Sequence, residues 1–379
     1  MILTKPLKII HISTVHHPLD TRILYKQCFS LANEGYEVHL IVQSHQDLQN
    51  INLPDNLYIW KLNVPKNRFY RVIFTVWEAY KIAKKIDGDI YHLHDPEILT
   101  ISTLLKKNNG QVVFDVHEDY ETSIKQKKYL SKPLRLLLAK IYKRIEKILT
   151  KSCHLVLAEK YYKEKFPKSK TVLNYPIVND NEKIRTNKQK KERSNWLIYT
   201  GNVTEARGAL YHAKIPKYLN SRVGVYFVGY CSETIAKKIY ERSEIGIEIN
   251  GVGHYVPRDE MDKIYNNNNW LAGVAIFPWT EHYYKKELTK FFEYMLHEIP
   301  IICSNFKVWK DFVESYNCGI AVDPEDDQDQ KAAIEYLMNN PEEAKQMGVN
   351  GRKAVLEELN WENEFEKLKE LYSNILNES

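Results

Sequence analysis

A chain of 379 residues, 44% hydrophobic and 27% charged, is long enough for two globular domains with substantial cores. No window reaches the ~18 uninterrupted apolar residues of a membrane span, Met1 leads into an apolar strand without a signal peptide, and five scattered cysteines form no C-x-x-C pair, so a cytoplasmic protein with reduced thiols is the expectation. A net charge of +5 is modest over the whole chain and gives no case for nucleic acid as a partner.

Leu7 to Thr14 reads as a buried strand, followed by a loop from Val15 to Arg22, a helix through Leu31 and a strand from Glu37 to Val42. This βαβ order opens a doubly wound sheet, whose ligands gather at the carboxyl ends of the strands. The first loop lacks G-x-G-x-x-G, which argues against a dinucleotide oxidoreductase. His16, Asp20 and Arg22 are candidates to meet a phosphate or an acceptor, although Asp20 equally suits a helix cap. Leu57 to Leu62 is a further strand, and Arg68 to Lys85 has helical apolar spacing. Two successive strands then end in polar clusters, His94-Asp95 and His117-Glu118-Asp119; their delivery to one sheet edge points to a site.

Lys125 to Lys151 is amphipathic, with Leu134, Leu137, Leu138, Ile141, Ile145, Ile148 and Leu149 on one side and ten basic residues against the single acid Glu146. It suits an anionic membrane surface and, as well, a core helix with solvated lysines. Residues 179–195 are polar and aperiodic, a linker. Trp196 to Gly201 restarts the strand pattern, and the loop Gly201 to Gly208 places glycines and Arg207 where a diphosphate would approach. In Glu287 to Asn305, Leu288, Phe291, Phe292, Met295 and Leu296 form an apolar stripe, Lys290, Glu293 and His297 share another face, and a strand follows. A helix starting near Glu287 would offer free amides to an anion, with Glu293 in reach of neighbouring hydroxyls, the pattern of phosphate plus sugar; the alternative is a packing helix with a solvated charged face.

In order and spacing these motifs resemble the retaining nucleotide-sugar glycosyltransferases of family 4, across essentially the whole chain. The resemblance rests on Tyr91 to Glu97, Val113 to Tyr120, Asn174-Tyr175-Pro176, Tyr199-Thr200-Gly201 with Arg207-Gly208, Phe291 to Met295 with Pro300, and Asn360-Trp361. It implies an α/β GT-B fold, two Rossmann-like doubly wound domains facing a central cleft: an acceptor domain over 1–178, the linker 179–195, a donor domain over 196–358, and a helix over 359–379 crossing back to the first domain. By the same resemblance Glu293 binds the ribose hydroxyls, Arg207 the diphosphate, His117 faces the reacting sugar, and Asp95 and His94 stand near the acceptor. Lys290, Gly201, Asn202 and Thr289 complete the donor surroundings. Two positions depart from the family pattern: Lys285 stands where a glutamate is usual, and Asn202 where a basic residue is usual. Asp87-Gly88-Asp89 and Asp327-Gln328-Asp329 are not read as metal sites, and neither metal nor cofactor is expected beyond the nucleotide sugar as co-substrate. The leading expectation is transfer of a hexose or N-acetylhexosamine from a UDP-sugar to a lipid-linked or polysaccharide acceptor in cell-surface glycan biosynthesis, in the cytoplasm or peripherally on the inner face of the plasma membrane. A UDP-sugar epimerase of the same architecture and a non-catalytic partner in glycan assembly are the alternatives.

Overall fold

The computed structural model describes residues 6–44, 52–106, 110–125, 131–178, 194–243, 245–267 and 269–377. Most of the linker stretch, 179–193, and Lys127 and Lys128 of the basic segment lie outside the described residues. The chain forms two compact units, Met1–Asn174 joined by Trp361–Ser379, and Tyr175–Asn360.

The first unit is a parallel sheet of β1 (Lys8–Ser13), β2 (Glu37–Gln43), β3 (Leu57–Leu62), β4 (Ile90–Leu93), β5 (Gln111–Val116), β6 (His154–Leu157) and β7 (Lys170–Thr171), in the order β3-β2-β1-β4-β5-β6-β7. Its central strands are apolar on both faces because helices cover both, as parallel crossovers require. Ile9, Ile10 and Ile12 of β1 and all of β4 are buried. The order reverses between β1 and β4, and the crevice beyond the carboxyl ends of strands at such a point is where doubly wound sheets bind ligands. Register places His11 of β1 directly beside His92 of β4.

The last helix, Trp361–Asn377, packs on this unit. Trp361 Nε1 donates to Ser30 Oγ at 2.8 Å, Glu364 Oε2 accepts from the Leu173 amide at 2.8 Å, and the Tyr372 hydroxyl meets His92 Nδ1 at 2.5 Å. It thereby closes the face of the sheet that carries the histidines.

Two helices of this unit depart from the sequence pattern. Lys132–Leu149 is not a core helix: Leu137 is 54% and Ile148 65% exposed, and Leu134, Ile141 and Ile145 also face outward. The helix is seated instead by Ala139, by Leu149 against the core, and by buried Glu146, which accepts from the Tyr142 hydroxyl at 3.1 Å and is ion-paired with Lys165. An ion pair, a small residue and one leucine make a narrow contact, so most of the broad apolar stripe is left over. The segment over 68–86 is an α-turn Arg68–Tyr70, a wider π-turn stretch Arg71–Thr75 and the helix Val76–Ile86. Its first half is likewise outward-facing, with Phe69 72% exposed and Phe74 and Trp77 also exposed.

The second unit repeats the topology with β8 (Trp196–Thr200), β9 (Gly224–Cys231), β10 (Ile247–Val252), β11 (Ala272–Ala275), β12 (Ile301–Ser304) and β13 (Gly319–Val322), ordered β10-β9-β8-β11-β12-β13 and all parallel. Its reversal lies between β8 and β11, so the loop after β8 and the 276–288 connection after β11 stand where a ligand would sit. Gly208 turns that first loop at φ +76°, and a Cβ there would lie 1.8 Å from the Ile276 carbonyl oxygen. Only glycine fits such a position.

Candidate functional site

In the first unit, β1, β4 and β5 deliver His11, His92, His94, Asp115 and His117 to the reversal point. Asp115 is fully buried and takes a forked pair of bonds from Arg22, Nε at 3.0 Å and Nη2 at 2.9 Å, with a third from Gln27 Nε2 at 2.7 Å. Burial opposes its charge, but Arg22 and the neighbouring imidazoles outweigh that and hold the carboxyl far below the usual range. The histidines form a chain of rings: His11 Nδ1 meets His94 Nε2 at 2.9 Å, and His94 Nδ1 meets His117 Nε2 at 2.9 Å. Desolvation drives all four rings toward neutrality, His92 to about 4 and His117 to about 3, with His11 and His94 well below 6.5. His11, His92 and His94, and likewise His94, Asp115 and His117, bring ligand atoms within 4.8 Å of one another, the sets able to take a metal ion. Both nitrogens of His94 lie within hydrogen-bond distance of other rings and Asp115 is bonded to Arg22 and Gln27, so the rings form a hydrogen-bonded chain, while His11 Nε2 and His92 Nε2 are buried without a partner. Such a chain holds His117, at the outer end, in a fixed orientation.

Asp95 lies beside this chain but points back into the fold. Its Oδ2 accepts from Ser13 Oγ (2.9 Å) and from the amides of Thr14 (2.6 Å) and Val15 (3.1 Å), pinning the loop after β1. His16 Nε2 is 3.4 Å from Asp95 Oδ1 and its Nδ1 3.5 Å from Asp20 Oδ2. Burial disfavours a charged His16, yet the Asp20 hydrogen bond and the Asp95 field together raise it above the ordinary histidine value. Asp20 is the helix cap, accepting from the Arg22 and Ile23 amides at 2.9 Å each, and is lowered to about 2. The three residues singled out in the first loop therefore separate: His16 borders the cluster, Asp20 caps, and Arg22 is buried against Asp115 with its Nη2 also on the Val172 carbonyl. Arg22 is structural here because a buried carboxylate claims its fork.

In the second unit the Thr289–Leu296 helix begins two residues later than the apolar spacing suggests, with Leu288 at its cap and no side-chain cap bond. Lys290 is not on a solvated face. It is 7% exposed, its ammonium nitrogen has no hydrogen-bond partner, and it lies 3.6 Å from the Tyr199 ring centroid and 5.1 Å from that of Phe277. Desolvation first, and Arg207 second, lower its affinity for a proton well below that of an ordinary lysine. Arg207 donates from Nε to the Tyr283 hydroxyl at 3.1 Å. Gly201 turns the same loop at φ +97°, Asn202 is exposed, and so is Thr289 at the helix start.

Glu293, one turn beyond Lys290, is held on both oxygens: it is ion-paired with Arg258, and Oε2 accepts from the Tyr265 hydroxyl at 3.0 Å. The Tyr265 hydroxyl in turn accepts from Thr200 Oγ1 at 2.9 Å, which ties Glu293 to the end of β8. Lys285 lies over the Tyr284 ring, 5.7 Å from its centroid.

Two family models cover most of the chain in succession: glycosyltransferase family 4 matches residues 21–160 and glycosyl transferases group 1 matches residues 180–354. The chain belongs to the group 1 glycosyltransferases. No curated protein matches it in sequence. Solved structures share its fold at low identity, and this group 1 glycosyltransferase has the GT-B architecture of two Rossmann-like sheets. A glycosyltransferase from Rickettsia africae superposes with a TM-score of 0.74 at 16% identity, covering 99% of this chain and 100% of that one. Sucrose-phosphate synthase from Thermosynechococcus elongatus gives 0.72 at 17%, covering 98% and 100%. Anabaena HepE, solved with UDP and glucose, gives 0.68 at 11%, covering 97% and 99%.

Several residues of these clusters escaped the sequence pattern. His11 and Asp115 were legible as ionisable residues inside otherwise apolar strands, a signal that a buried polar network is present. Arg258 and Tyr265 carried none, because their role depends on the helix Arg258–Asn267 lying beside Glu293.

Proposed function

We propose that this glycosyltransferase moves a hexose or N-acetylhexosamine from a nucleotide sugar, with UDP favoured, to a lipid-linked or polysaccharide acceptor in cell-surface glycan biosynthesis, with retention at the anomeric carbon. The observation that carries the donor assignment is the buried, unpartnered Lys290 beside Arg207, one helical turn before Glu293. A guanidinium beside a buried amine that has no hydrogen-bond partner of its own suits a diphosphate, and Glu293 would take the ribose hydroxyls by exchanging Arg258 for them. Gly201 and Asn202 let the backbone approach, and Thr289 opens a helix whose free amides add positive field. HepE, which has this fold, was solved with UDP and glucose and with UDP-glucose, which supports a UDP-sugar as donor.

His117, neutral and fixed by His94, would orient the sugar; Asp95 shapes the acceptor loop through its bonds to Thr14 and Val15. In front-face transfer the leaving phosphate takes the acceptor proton while Arg207 and Lys290 hold its growing charge, so no strong protein base is needed. No metal or cofactor enters this scheme.

A peripheral place on an anionic membrane is supported by the outward leucines and isoleucines of Lys132–Leu149, flanked by Lys140, Lys143, Arg144 and Lys147, and by the exposed Phe69, Phe74 and Trp77 near Arg68 and Arg71. Among the described residues no helix is long and apolar enough to cross a membrane.

A thermal-shift screen of UDP-, GDP- and ADP-sugars tests the donor: a ligand at ~100 times its Kd stabilises by ~2.7 kcal/mol. Stabilisation by none of them would remove the assignment, and an inverted anomer in the product would remove retention.

A further inference from the structure

The buried lysine of the second unit is an awkward group for an empty site. Its three ammonium hydrogens would have no acceptor, since Lys290 Nζ has no hydrogen-bond partner. The groups facing it come from five elements. They are Tyr199 from β8, Arg207 from the turn Glu205–Arg207, His212 from the short helix Ala209–His212, Phe277 from the connection after β11, and Glu293 from its own helix. None of them is hydrogen-bonded to the amine, and each is engaged elsewhere. The Tyr199 hydroxyl donates to the Asn202 carbonyl at 2.9 Å, His212 Nε2 accepts from the Ile276 amide at 2.9 Å, Arg207 repels, and both Glu293 oxygens are engaged by Arg258 and Tyr265. The Tyr199 and Phe277 rings and the nearby Glu293 carboxylate favour a cation, but without a hydrogen-bond acceptor they recover only part of what a fully desolvated ammonium loses.

We infer that Lys290 stands as a neutral amine in the empty site and takes up a proton from water when the donor's diphosphate arrives, so that donor binding and proton binding are one coupled event. This rests on the assignment of the Lys290–Arg207 pair to the diphosphate. The balance is simple: the amine lone pair takes H⁺ from solvent, no other bond changes, and the proton returns to solvent when the nucleotide leaves. During transfer the ammonium so formed faces the oxygen on which negative charge grows. A neutral lysine also avoids placing two unscreened like charges, Lys290 and Arg207, side by side before an anion is present to hold them.

Calorimetry of UDP-glucose binding to the full chain, repeated in buffers of different ionisation enthalpy, decides the matter. A sugar diphosphate diester has no titrating group near neutral pH, so any exchanged proton belongs to the protein. Wild type should take up a fraction of one proton per site, and its Kd should rise by up to about tenfold per pH unit where Lys290 is neutral when empty and charged when filled. Lys290→Met should bind more weakly with no uptake. Lys290→Arg, which keeps a permanent charge, should also bind without uptake and with a Kd flat across that pH range. Wild-type binding with no net proton exchange would overturn the inference while leaving the diphosphate assignment standing, and so would uptake that survives in Lys290→Arg. If UDP-, GDP- and ADP-glucose all fail to bind, both fall together.

Discussion

Replacing Arg22 by Met tests whether the first unit is organised around the buried Arg22–Asp115 pair. The substitution keeps an unbranched apolar stem and removes two of the three charge-assisted bonds to Asp115, those at 2.9 and 3.0 Å, leaving only Gln27. Asp115 is fully buried, and breaking a buried pair from one side costs about 3–5 kcal/mol because an uncompensated charge remains. For a unit of this size that is a fall in Tm of roughly 6–20 °C. The pH dependence carries a sign. Asp115 is depressed in the folded protein, so in wild type its contribution is complete above the unfolded carboxyl value of about 4 and is lost only as pH falls through the folded value. In Arg22→Met the carboxyl rises and takes a proton on mild acidification, so the deficit against wild type should shrink as pH is lowered. The double variant Arg22→Met, Asp115→Asn should recover more than half of the loss at neutral pH. Chemical denaturation at pH 7.5 and pH 5 measures all three. A single-variant loss under ~1 kcal/mol would refute the view that this pair organises the unit.

Four more outcomes follow from the same geometry. The buried rings of His11, His92, His94 and His117 are all lowered while unfolded histidines titrate near 6.5, so stability should fall as pH drops from about 6.5 toward 4, by up to about 1.4 kcal/mol per unit for each ring; denaturant midpoints across that range check it, and a flat profile would count against the neutral chain. Glu293→Ala should weaken UDP binding by roughly 10- to 150-fold, the worth of hydrogen bonds to a charged group, read by calorimetry; a loss below threefold would remove its ribose role. His117→Ala should lower kcat by about a hundredfold with the donor KM little changed, because orientation and not affinity is lost; initial rates with the donor found by thermal shift test this. Flotation with anionic vesicles should weaken at high salt and on replacing Lys140, Lys143, Arg144 and Lys147 by Glu, while Phe69→Ala with Trp77→Ala should weaken it at low and high salt alike; equal flotation of every variant would leave the outward apolar surfaces without a membrane role.

Much of this protein could be read from one dimension. Strands such as Ala272–Ala275 are continuous apolar runs, the βα alternation dictates parallel sheets, and polar residues at strand ends mark where such sheets bind ligands. That is local information: periodicity and the residue just past a strand are set by backbone geometry, and they brought out His94, His117, Arg207 and Glu293. What only tertiary structure decided was which polar groups satisfy one another. Arg22 looked free to meet a ligand until Asp115, 93 positions away, took its fork; Glu293 looked unencumbered until Arg258 and Tyr265 engaged both its oxygens. The stripe of Lys132–Leu149 has the spacing of a buried face, yet Glu146 is what the fold buries. Lys290, spaced like a solvated lysine, became a buried one because Tyr199 and Phe277 close over it. Periodicity records which side chains share a face; whether that face meets core, water or an opposing charge depends on elements distant in the chain, and that pairing sets the protonation state on which the chemistry turns.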